Sequence, residues 1–102
     1  MSNKANINIP HETIAEFCKR NYIRKLSFFG SVLRSDFRSD SDVDVLVEFD
    51  PEHVPGFFGL AHLERELSEI LGKKVDLRTP QELSKYFRDE VVLSALVAYG
   101  KR

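Results

Sequence analysis

Cysteine is almost absent from this sequence of 102 residues, which contains only Cys18. One cysteine cannot close an intramolecular disulfide, and this scarcity is typical of proteins in a reducing compartment. Glycine and proline are also few, and no low-complexity segment is present. No apolar run approaches the roughly 20 residues of a membrane-spanning helix. The polar residues 1–8 lack the apolar core of a signal peptide. We therefore predict a soluble, cytoplasmic protein without a membrane segment.

A large net charge is missing as well. Sixteen acidic and fifteen basic residues give a formal charge of -1 at pH 7. This balance provides no overall attraction to nucleic acid, so we expect no direct nucleic-acid binding. The length suits one domain with a single core. We expect a flexible N-terminus over residues 1–9 and a single domain over residues 10–102.

Hydrophobic periodicity predicts an α/β or α+β domain with a small mixed sheet flanked by helices. The last apolar residues, 96–99, fit either a helix or a strand. We expect Phe57 and Phe58 to be buried, because they lie in a Pro- and Gly-containing linker that they could anchor. A patch that binds a partner is the alternative for this pair. The predicted elements are a helix from Pro10 to about Asn21, a strand at 26–29, a short helix from Ser31, a strand from Val43, the linker at 50–59, a helix at 60–71 with Gly72 as its C-cap, a strand at 74–78, and a helical region from Pro80, capped by Thr79, to about Ala95.

Two aspartates stand at the start of a valine-rich strand. Val43 and Val45 alternate with Asp42 and Asp44, so the two carboxylates share one face of the strand. Like charges this close disfavour each other's ionisation unless a cation lies between them. A solvated strand edge or a local turn is the alternative interpretation. An EF-hand is excluded, because Val45 occupies the position that requires glycine and Pro51 that of the bidentate glutamate.

A third carboxylate, Asp76, lies at the middle of the next predicted strand. If the strands are neighbours, Asp42, Asp44 and Asp76 converge on one face of the sheet. Carboxylate oxygens without thiolates or paired histidines favour Mg²⁺, or Mn²⁺, over zinc. Two such ions would stabilise the attacking and leaving oxygens of a phosphoryl displacement. The carboxylates therefore predict a metal-dependent transfer site.

A Gly30-Ser31 turn precedes the aspartates and offers a place for phosphate. Its backbone N–H groups, its hydroxyl and the start of a short helix suit an anion, and glycine allows close approach. Ser31 could equally cap that helix. Arg34 and Arg38 could add charge-assisted contacts to a triphosphate, or could belong to a solvated loop.

These motifs resemble those of a known superfamily. Gly30-Ser31, ten further residues and then Asp42-Val43-Asp44 is similar to the signature of nucleotidyltransferases related to DNA polymerase beta. The text FFGSVLRSDFRSDSDVDVLVEF resembles the small stand-alone branch, the minimal nucleotidyltransferase (MNT) proteins, and the likeness extends over residues 10–99. One departure is visible, since Ser35 stands where the family commonly has glycine. The departure removes no proposed ligand.

The resemblance implies particular roles and partners. Asp42 and Asp44 would be metal ligands, Asp76 the third carboxylate, and Gly30-Ser31 the turn that holds the phosphates of ATP. We add the hypothesis that Asp76 is also the base for an acceptor hydroxyl. MNT proteins often pair with HEPN-domain toxins and act as antitoxins by transferring AMP from ATP to a toxin tyrosine. The alternatives are an antitoxin that acts by binding alone, and a transferase for a small molecule or an RNA end.

Overall fold

The computed structural model describes residues 7–35, 37–38, 40–83 and 85–100, without the side chain of residue 86. Three short 3₁₀ segments connect the elements, and no helix of this described part is long and apolar enough to span a membrane. The helices are α1 (His11–Arg20), α2 (Phe57–Leu71) and α3 (Lys85–Ser94); the strands are β1 (Ile23–Phe29), β2 (Val43–Phe49), β3 (Val75–Arg78) and β4 (Leu96–Tyr99); the 3₁₀ segments are Gly30–Leu33, Pro51–His53 and Pro80–Glu82.

The four strands form one mixed sheet in the order β3-β2-β1-β4. Strand β2 pairs parallel to β3, while β1 pairs antiparallel to both β2 and β4. The predicted fold class, a small mixed sheet with flanking helices, is confirmed. The pairing places Phe29 opposite Asp44 and Asp44 opposite Asp76, so residues from three strands lie side by side.

The two faces of β2 are buried by different elements, because its side chains alternate. Val43, Val45 and Val47 are buried in the main core, as predicted, together with side chains of α1 and α2. On the opposite face Leu46 belongs to a smaller cluster with Phe29, Val91 and Ala95. Helix α3 therefore covers part of the face that also carries Asp44.

The start of α2 differs from the prediction. The helix begins at Phe57, within the expected linker, and it includes Gly59. A Cβ on Gly59 would lie 2.8 Å from the Pro55 Cβ, so glycine is used here for space at the helix start and not for a loop. The predicted C-cap is confirmed, since Gly72 has the left-handed φ of 68°.

Phe57 and Phe58 are on the surface, so the prediction that they are buried was wrong. Their exposed fractions are 80% and 85%. The side of α2 that packs on the sheet is formed further along by Leu63 and Leu67. The two phenylalanines precede that stripe, and the first turn of the helix carries them out to solvent.

Both ends of the described chain add to the sheet and its core. Residues 96–99, which fitted either state, form β4 beside β1, and the predicted helical region divides into a 3₁₀ turn and α3. Ile7 and Ile9 pack against the main core although we assigned residues 1–9 to a flexible terminus. Residues 1–6, the rest of that assignment, lie outside the described residues.

The outer edge of β3 is closed by side chains of α2. The Val75 N–H donates to Ser68 Oγ at 3.0 Å, and the Leu77 N–H donates to Glu64 Oε2 at 2.8 Å. The unpaired backbone groups of an edge strand can template pairing with another chain. Ser68 and Glu64 satisfy two of them and fix α2 against β3.

Candidate active site

The candidate site is a row of residues across the ends of three adjacent strands. Strand β1 ends at Phe29 and leads into the Gly30-Ser31 turn, Asp44 is the second residue of β2, and Asp76 is the second residue of β3. Phe29 pairs with Asp44, which pairs with Asp76. The turn and two of the predicted carboxylates therefore lie side by side, and Asp42 precedes β2 at the same end.

The ionisation of Asp44 is opposed by its surroundings. Its pKa is raised above the ordinary 3.8, first by burial and then by the charges of Asp76 and Asp42. The Arg78 guanidinium and a hydrogen bond from the Ser31 backbone N–H act in the other direction. Coulombic interaction weakens with distance. The effects of Asp76 and Asp42 on the pKa of Asp44 therefore indicate that the three carboxylates lie close together as one cluster. A cation at this cluster would relieve the repulsion.

Glycine is required at position 30 for two independent reasons. Its φ of +75° is one that side-chain-bearing residues rarely adopt, and a Cβ there would overlap Asp44 Oδ2. The close approach lets the Ser31 N–H reach the Asp44 carboxylate. The Ser31 hydroxyl also donates a long hydrogen bond, 3.5 Å, to the Asp42 carbonyl oxygen. The turn is thus hydrogen-bonded to both Asp42 and Asp44 and helps to hold them in place.

Arg78 is a member of the cluster that the sequence did not lead us to include. Its Nη2 lies 3.2 Å from Asp76 Oδ2, and its Nη1 lies 3.7 Å from Glu82 Oε2. The signal was present, because residues 76 and 78 of one strand share a face. In the described part of the chain, Arg78 supplies a positive charge within ion-pair distance of the third carboxylate.

The carboxylates do not stand as a ready-made ligand set. Among the described residues no three His, Cys, Asp or Glu side chains are arranged to hold a metal ion. Asp76 is engaged with Arg78, and Asp44 with the Ser31 N–H. The donor chemistry still fits a hard divalent cation, since Asp44 and the two carboxylates that repel it, Asp42 and Asp76, offer the oxygen ligands that such ions prefer.

The two predicted arginines lie in the loop after the turn, and both are exposed. The ion-pair partner of Arg38 among the described residues is Asp40, with Nε and Oδ1 4.0 Å apart. The backbone N–H of Arg34 donates to the Ser31 carbonyl oxygen at 3.0 Å. Neither contact tests phosphate binding by the two guanidinium groups, which stays a prediction.

The family model for the nucleotidyltransferase domain matches residues 11–98. The chain belongs to the nucleotidyltransferase domain family. The resemblance seen in the Gly-Ser and Asp-Val-Asp motifs is thereby confirmed, and the chain is classed as a nucleotidyltransferase.

Relatives and solved structures agree with this membership. A Methanocaldococcus jannaschii protein named "Putative protein adenylyltransferase MJ0435" is 32% identical over 91 residues, which are 89% of this chain and 96% of that protein. A chain in a crystal structure of a toxin-antitoxin with AMP-PNP has a TM-score of 0.74 at 20% identity, covering 92% of this chain and 76% of its own.

A further structure is that of a tri-AMPylated Shewanella oneidensis HEPN toxin in complex with an MNT antitoxin. A chain in it has a TM-score of 0.64 at 20% identity, over 89% of this chain and 70% of its own. At this level of identity the two likenesses show the nucleotidyltransferase fold.

Proposed function

We propose that this nucleotidyltransferase is a protein adenylyltransferase that moves AMP from ATP to a tyrosine of a HEPN-domain toxin and thereby acts as its antitoxin in the cytoplasm. The observation that carries the proposal is the row formed by the Gly30-Ser31 turn, Asp44 and Asp76, with Asp42 coupled to it. The protein adenylyltransferase name of the archaeal relative supports the reaction. The AMP-PNP and HEPN toxin in the similar structures support the donor and the partner.

The carboxylates are the proposed metal ligands. Asp42, Asp44 and Asp76 would hold Mg²⁺, with two ions expected and Mn²⁺ as a substitute. When bound, the metal would offset the charge of the triphosphate and polarise the α-phosphoryl group. Arg78 would then have to release Asp76, and Glu82 already lies within reach of its guanidinium.

The remaining residues have roles on the nucleotide side and the acceptor side. Gly30-Ser31 would receive the phosphates, with Arg34 and Arg38 as further candidates for the triphosphate. In the reaction the acceptor oxygen bonds to the α-phosphorus, and the bond from that phosphorus to the bridging oxygen of the β-phosphate breaks. Pyrophosphate leaves with the electron pair. The proton of the acceptor hydroxyl passes to Asp76, which we propose as the base.

The test is label transfer with purified proteins. ATP labelled at the α-phosphate, Mg²⁺ and a cognate HEPN-domain toxin should give a labelled toxin, whereas ATP labelled at the γ-phosphate should not. Chelation by EDTA should abolish the labelling. Neutralisation of the toxin without α-phosphate transfer would overturn the proposal in favour of binding alone. Transfer to a tRNA end or an aminoglycoside, with none to protein, would indicate a different acceptor class.

A further inference from the structure

We propose that the acceptor protein docks in the groove between the start of α2 and β3, with Phe57 and Phe58 as its anchors. We call the surface formed by Val54, Phe57, Leu60 and the segment 76–82 the α2–β3 groove. Phe58 does not line it but lies beside it, with its ring against that of Phe57. The inference rests on the proposed function, because it names the surface that brings the acceptor to the same site.

The α2–β3 groove is continuous with the candidate base. A cleft of about 220 Å³ is lined by Phe57 and Leu60 from α2 and by Asp76 and Arg78 from β3. The same Phe57 and Leu60 also line a larger groove of about 870 Å³, whose walls include Val54. A protein surface seated in the larger groove would therefore reach Asp76 through the smaller cleft.

The anchors have the exposure and the position that binding side chains need. Phe57 and Phe58 are the two most exposed large apolar residues in the described part of the chain, and Val54 beside them is 61% exposed. The two rings meet edge to face with their centroids 5.7 Å apart. Aromatic side chains held on a helix lose little freedom on binding, and such residues dominate the energetics of protein interfaces.

The strand order favours the acceptor over the nucleotide as the occupant. Asp44 on β2 separates the Gly30-Ser31 turn, which follows β1, from Asp76 on β3. If the turn holds the phosphates, the acceptor must approach from the β3 side, where the groove lies. An attacking oxygen and its leaving group lie on opposite sides of the transferred phosphorus in an in-line displacement.

The charge of the smaller cleft also favours the acceptor protein over the nucleotide as the occupant. Its ionisable lining residues are Glu64, Asp76 and Glu82 against Arg78, which leaves an excess of negative charge. This excess repels a triphosphate and attracts positive charge. The expected partner surface is therefore an apolar patch around the acceptor tyrosine, bordered by lysine or arginine.

The test separates docking from nucleotide binding with Phe57→Ala/Phe58→Ala and a matched control, Leu93→Ala. Leu93 is 78% exposed on α3 and lines neither cleft. Both variants remove exposed side chains, so equal melting temperatures verify folding. The double variant should raise the Kd for the purified HEPN-domain toxin, and the KM for it as acceptor, about tenfold or more. The KM for ATP should not change, and Leu93→Ala should leave all values unchanged.

Two results would overturn the inference. An increase in the KM for ATP with an unchanged toxin Kd would assign the groove to the nucleotide. A double variant that binds the toxin as the wild type does would show that the groove is not used. The Kd is measured without ATP, so the proposed function is judged separately: if the wild type binds but transfers no AMP, and the double variant loses binding, docking stands and the transferase proposal fails.

Discussion

Asp44 is the single residue in which the features of the site meet. It pairs with positions 29 and 76 in the sheet, accepts from the Ser31 N–H, and occupies the space beside Gly30 that a Cβ would need. Burial and two neighbouring carboxylates oppose its charge. A carboxylate whose pKa is raised by burial and by neighbouring charges is typical of a functional site.

Asp44→Asn should therefore stabilise the metal-free protein at neutral pH. A raised pKa in the folded state means that the carboxylate favours folding only when protonated, and this contribution is lost as pH rises through the folded pKa. At pH 7 we expect a gain on the order of 0.5 kcal/mol after solvent screening, or about 2–4 °C in Tm. The gain in stability should shrink as the pH falls toward 3.8, the ordinary pKa of an aspartate side chain. Thermal melts from pH 3.5 to 8 in EDTA test this, and a gain that grows in acid would contradict it.

Arg78 would compete with the proposed metal for Asp76, because its guanidinium is hydrogen-bonded to that carboxylate. Arg78→Gln removes both the hydrogen bond to Asp76 and a positive charge beside the cluster. We expect Mn²⁺ to bind about threefold or more tightly to this variant, measured by electron paramagnetic resonance of the free ion. Arg65→Gln, on the exposed side of α2, removes the same charge elsewhere and should change the affinity little. Weaker binding by Arg78→Gln would show that the guanidinium supports the metal site.

At the scale of the elements, the turn after β1 and the edge of β3 fix the geometry of the site. The turn brings its backbone against Asp44, and α2 closes the outer edge of β3 through Glu64 and Ser68. Both sets of contacts involve backbone groups. We therefore expect their loss to lower the free energy of unfolding first, and to affect the reaction only as a consequence.

Gly30→Ala and Gly72→Ala separate the energetic cost of backbone strain from that of a steric clash of the new Cβ. Both positions have a left-handed φ, +75° and +68°, but only at Gly30 would the new Cβ meet a neighbour, the Asp44 carboxylate. We expect Gly72→Ala to cost about 1 kcal/mol from backbone strain and Gly30→Ala about 1 kcal/mol more. Urea unfolding of both variants measures the difference. Adding Asp44→Ala should remove the excess at Gly30, and its persistence would contradict the contact.

Glu64→Ala should loosen β3 from α2. The Leu77 N–H would lose its acceptor, and we expect a loss of about 1 kcal/mol in the free energy of unfolding. Glu64→Gln keeps an acceptor oxygen and should lose less. Glu69→Ala, exposed on the same helix, is the control. Equal urea midpoints for Glu64→Ala and the control would show that the hydrogen bond does not hold the edge.

Local patterns predicted some elements and not others. The alternation from Val43 and the left-handed cap at Gly72 were sufficient for β2 and for the end of α2. The four residues of β4 fit either state because their strand nature depends on pairing with β1, which is distant in sequence. Gly59 resembles a loop residue until its contact with Pro55 is known.

The candidate site was predictable only where a motif covered it. The turn and the aspartates were found from spacing, and the register confirms that Asp44 and Asp76 are neighbours. Arg78 was missed because an arginine in a charged strand end resembles any solvated side chain. Its role depends on which carboxylate shares its face. The metal, phosphate and base roles of the site residues stay predictions.

At the scale of the whole molecule, the sheet places the three parts of the candidate site in a row. Helices α1 and α2 pack on the valine face of β2, and α3 packs on part of the other face. Across the sheet, the Gly30-Ser31 turn, the carboxylates and the α2–β3 groove follow one another. In the proposed mechanism this order is that of nucleotide, reaction centre and acceptor.

The mass of the toxin after co-expression tests the central claim most directly. With the wild-type chain, intact-mass spectrometry of a cognate HEPN-domain toxin should show whole AMP additions, located on tyrosine. With Asp42→Asn/Asp44→Asn the additions should disappear and the toxin should remain active. An unmodified toxin that is nevertheless neutralised by the wild type, or AMP additions that persist with the double variant, would contradict the assignment of these carboxylates to protein adenylylation.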